Sequence, residues 1–259
     1  MAIITLTSDY GTQDHYVASV KAAILSMKPD AVIVDITHDV PHHNLMHASF
    51  VVKCAYKMFP EGSIHVLDIL SESSIEMPNK AIFYDGHYFV GTDNGIFALI
   101  FDKVPEKVYE IEVAQDSGYF TFIARDLFAK VAVHLAQGKP VEALGKHRPG
   151  VNSMLMYQPL TDKDMIRGQV IHVDSYQNLF FNITESLFRE TGKGREFSLK
   201  IRSHGYDIDR ISTSYSDVNE GEILALFSSG SYLQIAINRG KAAGLLGMNI
   251  GDYVRIEFE

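Results

Sequence analysis

Carboxylates, imidazoles and amides gather at four places where their spacing could do chemistry. Asp9 stands in Ser8-Asp9-Tyr10-Gly11, directly after the apolar run 3–7. In an open parallel sheet ligands sit beyond the carboxyl ends of the strands, and a carboxylate there can accept two hydrogen bonds from a ribose diol. The same aspartate could equally cap the helix that follows. His38, Asp39, His42, His43 and His47 crowd the stretch after residue 36. Metals take such ligands, but no established metal spacing such as His-Glu-x-x-His is present, so the reading is a polar loop entering a helix, with no metal. Residues 174–182 mix Asp174, Tyr176, Asn178 and Phe180. An asparagine can pair with a purine edge while a ring stacks on its face. A strand–turn–strand corner with its asparagine in the left-handed region is the plainer alternative. Ser228-Ser229-Gly230-Ser231 either lets backbone approach a ligand closely or simply turns a hairpin.

Several classes of function are excluded. No Gly-x-Gly-x-x-Gly follows the first strand and no Walker A sequence occurs, so dinucleotide and nucleotide-triphosphate readings lose their main support. The net charge is −9, from 32 acidic and 23 basic residues, with no Lys/Arg run to track a phosphate backbone; nucleic acid is not the expected partner. The single cysteine, Cys54, lies in an apolar stretch and reads as a small buried hydrophobe. The first residues carry no basic region or cleavage site and read as a strand rather than a signal peptide. No apolar run approaches the ~20 residues a membrane span needs. A cytoplasmic protein that meets neither membrane nor nucleic acid is expected.

The elements that must position these residues follow from periodicity. Residues 3–7, 31–36 and 64–70 read as short buried strands, and 17–27 and 44–58 carry helical spacing. This βαβαβ rhythm argues a parallel sheet with helices on both faces. Residues 80–84 and 87–90 flank Asp85-Gly86, a tight-turn pair that tolerates positive φ. Residues 125–137 read as a helix ended by Gly138. The stretch 145–164, with Pro149, Gly150 and Pro159, reads as the connection. It divides an α/β domain, 1–149, from a linker, 150–163, and a second domain, 164–259. There, strands at 168–173, 179–183, 196–201, 223–227, 232–236 and 253–258 suggest a small antiparallel barrel or sandwich. The expected fold class is α/β, a mostly parallel N-terminal sheet followed by an antiparallel β-barrel.

Taken together the sequence resembles the S-adenosylmethionine hydroxide adenosyltransferase family, which also contains the fluorinase and chlorinase. The likeness runs from residue 3 to 258. It is carried, in order, by residues 7–16 (Thr-Ser-Asp-Tyr-Gly-Thr-Gln-Asp-His-Tyr), 34–38, 89–95 (Phe-Val-Gly-Thr-Asp-Asn-Gly), 121–128 (Thr-Phe-Ile-Ala-Arg-Asp-Leu-Phe), 174–183 and 228–238. The resemblance implies a homotrimer, with the ligand between the N-terminal domain of one subunit and the C-terminal domain of its neighbour. It implies that Asp9 holds both ribose hydroxyls with Thr121 as a second ribose contact. It further implies that Asp14 and Asp174 face the methionine ammonium, that Ser228 lies near the carboxylate end, and that Asn178 meets the adenine edge between Tyr176 and Tyr215. The implied chemistry is displacement at the ribose 5′ carbon of S-adenosylmethionine (SAM), with methionine as the leaving group and no cofactor. The protein's task is to place a nucleophile in line and strip its water.

The sequence departs from the pattern where the nucleophile is handled. Hydrolases of the family resemble one another in an Asp, an Arg and a His that hold the attacking water. Here Ile123-Ala124 stand where the His belongs, and isoleucine neither takes nor donates a proton. The Asp and Arg belong to a loop that reads differently at 67–80; counting forward puts Leu70 at the Asp position, counting back puts Glu72 there and Asn79 at the Arg. Asp68, Glu72 and Lys80 are the candidate substitutes. Hydrolysis by a rearranged water site is the leading reading. A chloride-dependent halogenase and a SAM- or adenosine-binding protein without turnover are the alternatives.

Overall fold

The computed structural model describes residues 2–115, 121–201, 205 and 207–259. The chain forms two compact units, Met1–Leu155 and Met156–Glu259.

In the first unit, β1 (Ile3–Ser8), β2 (Val32–Thr37), β3 (Ile64–Asp68), β4 (Asn79–Tyr84), β5 (His87–Thr92), β6 (Lys107–Ile111) and β7 (Gly145–His147) make one seven-stranded sheet. Its order is β2-β1-β3-β5-β4-β6-β7. The pairs β1/β2, β1/β3 and β3/β5 are parallel, whereas β4 pairs antiparallel with both β5 and β6. The parallel half is threaded by α1 (Tyr16–Met27) and α2 (Leu45–Ala55); α3 (Ile96–Ile100) follows β5, and α4 (Ala129–Ala136) continues a π-helical turn, Ala124–Phe128. The Asn44 side chain accepts from His47 N at 2.9 Å and so starts α2. Asp85 (φ 51°) and Gly86 (φ 79°) make the left-handed pair that the β4–β5 hairpin needs.

The alternation expected from sequence follows from burial. Ile4, Leu6, Ile64 and Val66 face one side of the sheet and pack with Val20, Ile24, Phe128 and Ala132 in one core. The hairpin signal at Asp85-Gly86 is met by the antiparallel β4–β5 pair, whereas β6 and β7 were not foreseen as strands; β7 arises inside the stretch that reads as a connection and pairs with β6. Cys54 is half-buried in α2, and burial pushes its thiol up to about 11, which leaves it protonated at neutral pH.

The second unit holds β8 (Leu160–Thr161), β9 (Met165–Val173), β10 (Leu179–Thr184), β11 (Phe197–Ile201), β12 (Asp207–Ile208), β13 (Ile211–Ser212), β14 (Ile223–Phe227), β15 (Tyr232–Ile237) and β16 (Tyr253–Phe258), with α5 (Glu185–Gly192) and α6 (Ala242–Leu246). The order is β12-β11-β16-β9-β10-β15-β14-β13, with β8 on β9. The two edges, β12 and β13, are separated in sequence only by Asp209 and Arg210. So short a tether brings the edges within roughly 10 Å. The sheet is therefore curled into a nearly closed barrel around Val170, Phe181, Leu199, Leu233, Ile235 and Val254. α5 and α6 were missed by sequence reading; the Thr184 hydroxyl accepts from Leu187 N at 3.3 Å to start α5. Among the described residues no helix is long and apolar enough to cross a membrane.

Candidate functional site

β1 and β3 lie side by side with Ser8 opposite Asp68. Asp9 follows the end of β1, so both carboxylates emerge at the carboxyl edge of the parallel half, where such sheets leave a crevice. A cavity of about 480 Å³ opens there, lined by Asp9, Asp68, Glu72, Thr121 and Ile123. Tyr10, His43, Leu70, Ser71, Ser73 and Phe122 complete its wall, and no lysine or arginine is among the described residues that line it. Asp9 Oδ2 accepts from His43 N at 2.8 Å, and His43 Nδ1 lies 3.8 Å from the same oxygen. His43 holds a left-handed φ of 62° in making that contact. Asp9 therefore caps nothing in α1, whose preceding residue His15 offers no side-chain cap.

Asp68 is the unusual group. Its carboxyl is buried at the strand end, and burial pushes it up to about 7; the nearby Asp9 charge adds to the rise and the Ser71 hydroxyl opposes it. A carboxyl in this state can take or give a proton at neutral pH. Beside it, Ser8 Oγ bonds His38 Nδ1 at 2.7 Å, and His38 Nε2 lies 3.2 Å from Asp35 Oδ1. The histidine-rich stretch thus spends two of its rings on Ser8/Asp35 and on Asp9.

The apolar wall is set by ring packing. Phe122 meets Tyr10 edge-on at 5.8 Å and Tyr16 at 5.4 Å. That cluster fixes the entry to the π-helical turn and presents Ile123. Asp14 lies on an adjoining cavity of about 450 Å³ that shares Asp9 and Tyr10 with the first.

Lys80 takes a different place from that of the other two candidate substitutes. Its ammonium lies 2.7 Å from Asp93 and donates to the Gly150 carbonyl at 2.9 Å, both partners in the fold of the first unit. Asp93 is fully buried, so the pair holds structure together and Lys80 is no part of the described cavity lining. Asn79 likewise accepts from Thr92 Oγ1 at 2.8 Å across the hairpin. The residues that sequence reasoning missed are Tyr10, Ser71 and Ser73 on the wall and Asn94 behind it, while His43 stood in the histidine-rich stretch and was read as part of a polar loop. Tyr10 and Asn94 stood inside stretches already singled out; Ser71 and Ser73 sit in a loop with no periodicity to reveal which way they turn.

In the second unit, Asp174 Oδ1 accepts from Tyr176 N at 3.0 Å and Asn178 N at 2.8 Å, and its Oδ2 accepts from Asn178 Nδ2 at 3.0 Å. Asp174 and Asn178 are thus one turn unit between β9 and β10. The left-handed residue of that turn is Gln177, φ 68°, rather than the asparagine. Tyr176 is exposed. The Tyr215 hydroxyl bonds the Gln234 amide at 3.0 Å. Ser228 closes the β14–β15 turn, its N–H donating to Tyr232 O at 2.9 Å.

Comparison with known proteins agrees with this layout. Residues 4–145 match the SAM hydroxide adenosyltransferase N-terminal domain, and residues 168–255 match the C-terminal domain. A protein of Thermus thermophilus named (R)-S-adenosyl-L-methionine hydrolase is 30% identical, covering 99% of this chain and all of its own. A Methanocaldococcus jannaschii protein of the same name is 28% identical over 98% of this chain and 95% of its own. A fluorinase of Nocardia brasiliensis is 24% identical over 98% of this chain and 96% of its own. An uncharacterized conserved protein from Thermotoga maritima superposes with a TM-score of 0.90 at 29% identity, covering 98% of this chain and 99% of that one.

Proposed function

The chain belongs to the SAM hydroxide adenosyltransferase family of enzymes, and we propose that within it this protein hydrolyses SAM to adenosine and methionine with Asp68 in place of the family's water-holding set. The observation that carries the reading is the buried Asp68 carboxyl beside Asp9 in a cavity with no lysine or arginine among its described lining. Asp9, Asp68 and Glu72 make that cavity hostile to a halide, because like charges at close range repel. They suit water, a neutral nucleophile that must lose a proton.

In the proposed reaction the water oxygen bonds to C5′ as the C5′–S bond breaks. The electron pair of that bond returns to sulfur, and methionine leaves as a neutral thioether. Sulfonium is a good leaving group, so no acid is required. One proton is released, and Asp68 takes it; a base poised near the working pH does this with least waste of driving force. Asp9 and Thr121 are assigned to the ribose hydroxyls, and Ile123 with Phe122 to a dry wall behind the reacting carbon. Asp14, Asp174, Tyr176, Asn178, Tyr215 and Ser228 keep the methionine and adenine contacts that the resemblance implies. The homotrimer, with no further cofactor, belongs to the same proposal.

Incubating purified protein with SAM, with and without chloride, and separating the products tests it. Adenosine formed at a rate indifferent to chloride is expected. Formation of 5′-chloro-adenosine, or bound SAM with no product, sinks the hydrolase reading.

A further inference from the structure

The cavity wall between β3 and β4, residues 69–78, stands on two feet, and one three-residue turn holds both. At the entry, Asn94 Nδ2 donates to the carbonyls of Ile69 at 2.8 Å and Leu70 at 2.9 Å. A single amide nitrogen has two hydrogens, and here both go to consecutive carbonyls. Leu70 needs such a hold, because its φ is 50°. The left-handed region is disfavoured for a residue that carries a Cβ. Asn94 is itself fixed: its Oδ1 accepts from Ile96 N at 3.2 Å and its N–H donates to Thr92 O at 2.9 Å.

At the exit, Asp93 N donates to Pro78 O at 2.9 Å. Asn152 Nδ2 donates to Glu76 O at 2.6 Å and to Asp93 O at 2.5 Å, while its N–H meets the Asp93 carboxylate at 2.9 Å. The buried Lys80–Asp93 pair anchors this foot. Between the feet, Ser71, Glu72 and Ser73 turn to the cavity, and Ile69 is the neighbour of Asp68.

From this geometry we infer that Asn94 is a positioning residue for the reaction: it clamps the strained Ile69–Leu70 step and so sets where Asp68 and the Ser71–Ser73 wall meet the substrate. The inference deepens the hydrolase reading and rests on it. Asn94 is not among the residues that line the cavity; it acts through two carbonyls. Aspartate at this position keeps the shape but replaces both donors with an acceptor facing carbonyl oxygens.

The test is a double-mutant cycle of Asn94→Ala with Leu70→Gly, with Asn94→Asp alongside, each followed by SAM kinetics and thermal unfolding. Displacement of a reacting group by about 1 Å can cost 10²-fold, so kcat falling about 10- to 100-fold in Asn94→Ala and Asn94→Asp, with KM little changed, is expected. Glycine adopts positive φ freely. In the Leu70→Gly background, Asn94→Ala should therefore cost much less, within about 3-fold of the Leu70→Gly parent. Equal losses in both backgrounds, a loss confined to thermal stability, or no loss overturns the clamp. Amide hydrogen exchange at residues 70–74 gives a readout that needs no turnover. Faster exchange in Asn94→Ala supports the clamp even if the wild type makes no adenosine, an outcome that removes only the hydrolase reading; unchanged exchange removes the clamp.

Discussion

Asp9 and Asp68 sit at the ends of neighbouring strands, yet their surroundings differ, and the proposed reaction gives them different tasks. Asp9 Oδ2 accepts the backbone N–H of His43, and the carboxylate lines the cavity. Asp68 is buried, and it rises to about 7 although the Ser71 hydroxyl opposes the rise. Removing Asp9 deletes two hydrogen bonds to a charged group, each worth about 1.5–3 kcal/mol. Asp9→Ala should therefore weaken SAM or adenosine binding by at least about 100-fold in calorimetry; unchanged affinity removes the ribose assignment. With Asp68 as the proposed base, the active form is the carboxylate, so kcat should be low below pH 7, rise through about 7 and level off above it. Asp68→Asn should lower kcat by about 10²- to 10³-fold and abolish that rise. A wild-type profile that is flat from pH 6 to 8 excludes Asp68 as the base. At this scale the sequence was partly legible. Asp9 was named from its place after an apolar strand, whereas Asp68 could only stand among three substitutes, since burial and neighbours, not residue type, set it apart from Lys80.

At the scale of elements, the site depends on how closely β3 and β5 can approach. Gly91 of β5 pairs with Leu67 of β3, the residue before Asp68. A Cβ on Gly91 would lie 2.8 Å from the Leu67 carbonyl oxygen and 3.4 Å from the Phe97 ring. Backbone and a buried ring give little ground, so Gly91→Ala should destabilise the protein by about 1–3 kcal/mol. It should also lower kcat, because the strain falls on the strand that carries Asp68. Denaturant midpoints with kinetics at a temperature where the variant is folded check both; a fully stable, fully active variant refutes the close-approach argument. The strands themselves were readable from apolar runs and turn pairs, and β1, β2, β14 and β15 fall within a residue or two of their expected ends. The wall 69–78 was not readable, because hydrogen bonds from Asn94 and Asn152, distant in sequence, decide its course.

Across the whole molecule, the succession of a parallel-rich sheet and a curled antiparallel one was visible as a change of rhythm along the chain. The barrel's near-closure was not, since it depends on two-residue strands that carry no periodicity. Equally hidden was a polar seam on the face of the first sheet opposite Asp68. His65 Nδ1 bonds Thr5 Oγ1 at 2.8 Å and its Nε2 lies 3.3 Å from His87 Nδ1, among Tyr56, Phe59 and Phe89. Burial foremost, with the His87 charge adding, pushes His65 down to about 3, and burial lowers His87 as well. Both rings are therefore neutral in the folded protein at pH 7. The unfolded chain binds a proton at His65 near pH 6.5, while the folded chain does not until about 3. The stability that the neutral ring confers is complete above pH 6.5 and is lost as pH falls from there towards 3. The limiting slope is about 1.4 kcal/mol per pH unit for each such histidine. Between pH 6 and 5 Asp68, raised to about 7, works in the opposite sense, because there the folded chain holds its proton and the unfolded chain does not. The readout is therefore the difference between variants, and urea midpoints of the wild type should fall relative to those of His65→Gln as pH drops from 6 to 5, with His65→Gln the less stable at pH 8. If His65→Gln keeps the wild-type slope, the proton uptake on unfolding lies elsewhere and the buried pair is not what makes the first unit acid-sensitive.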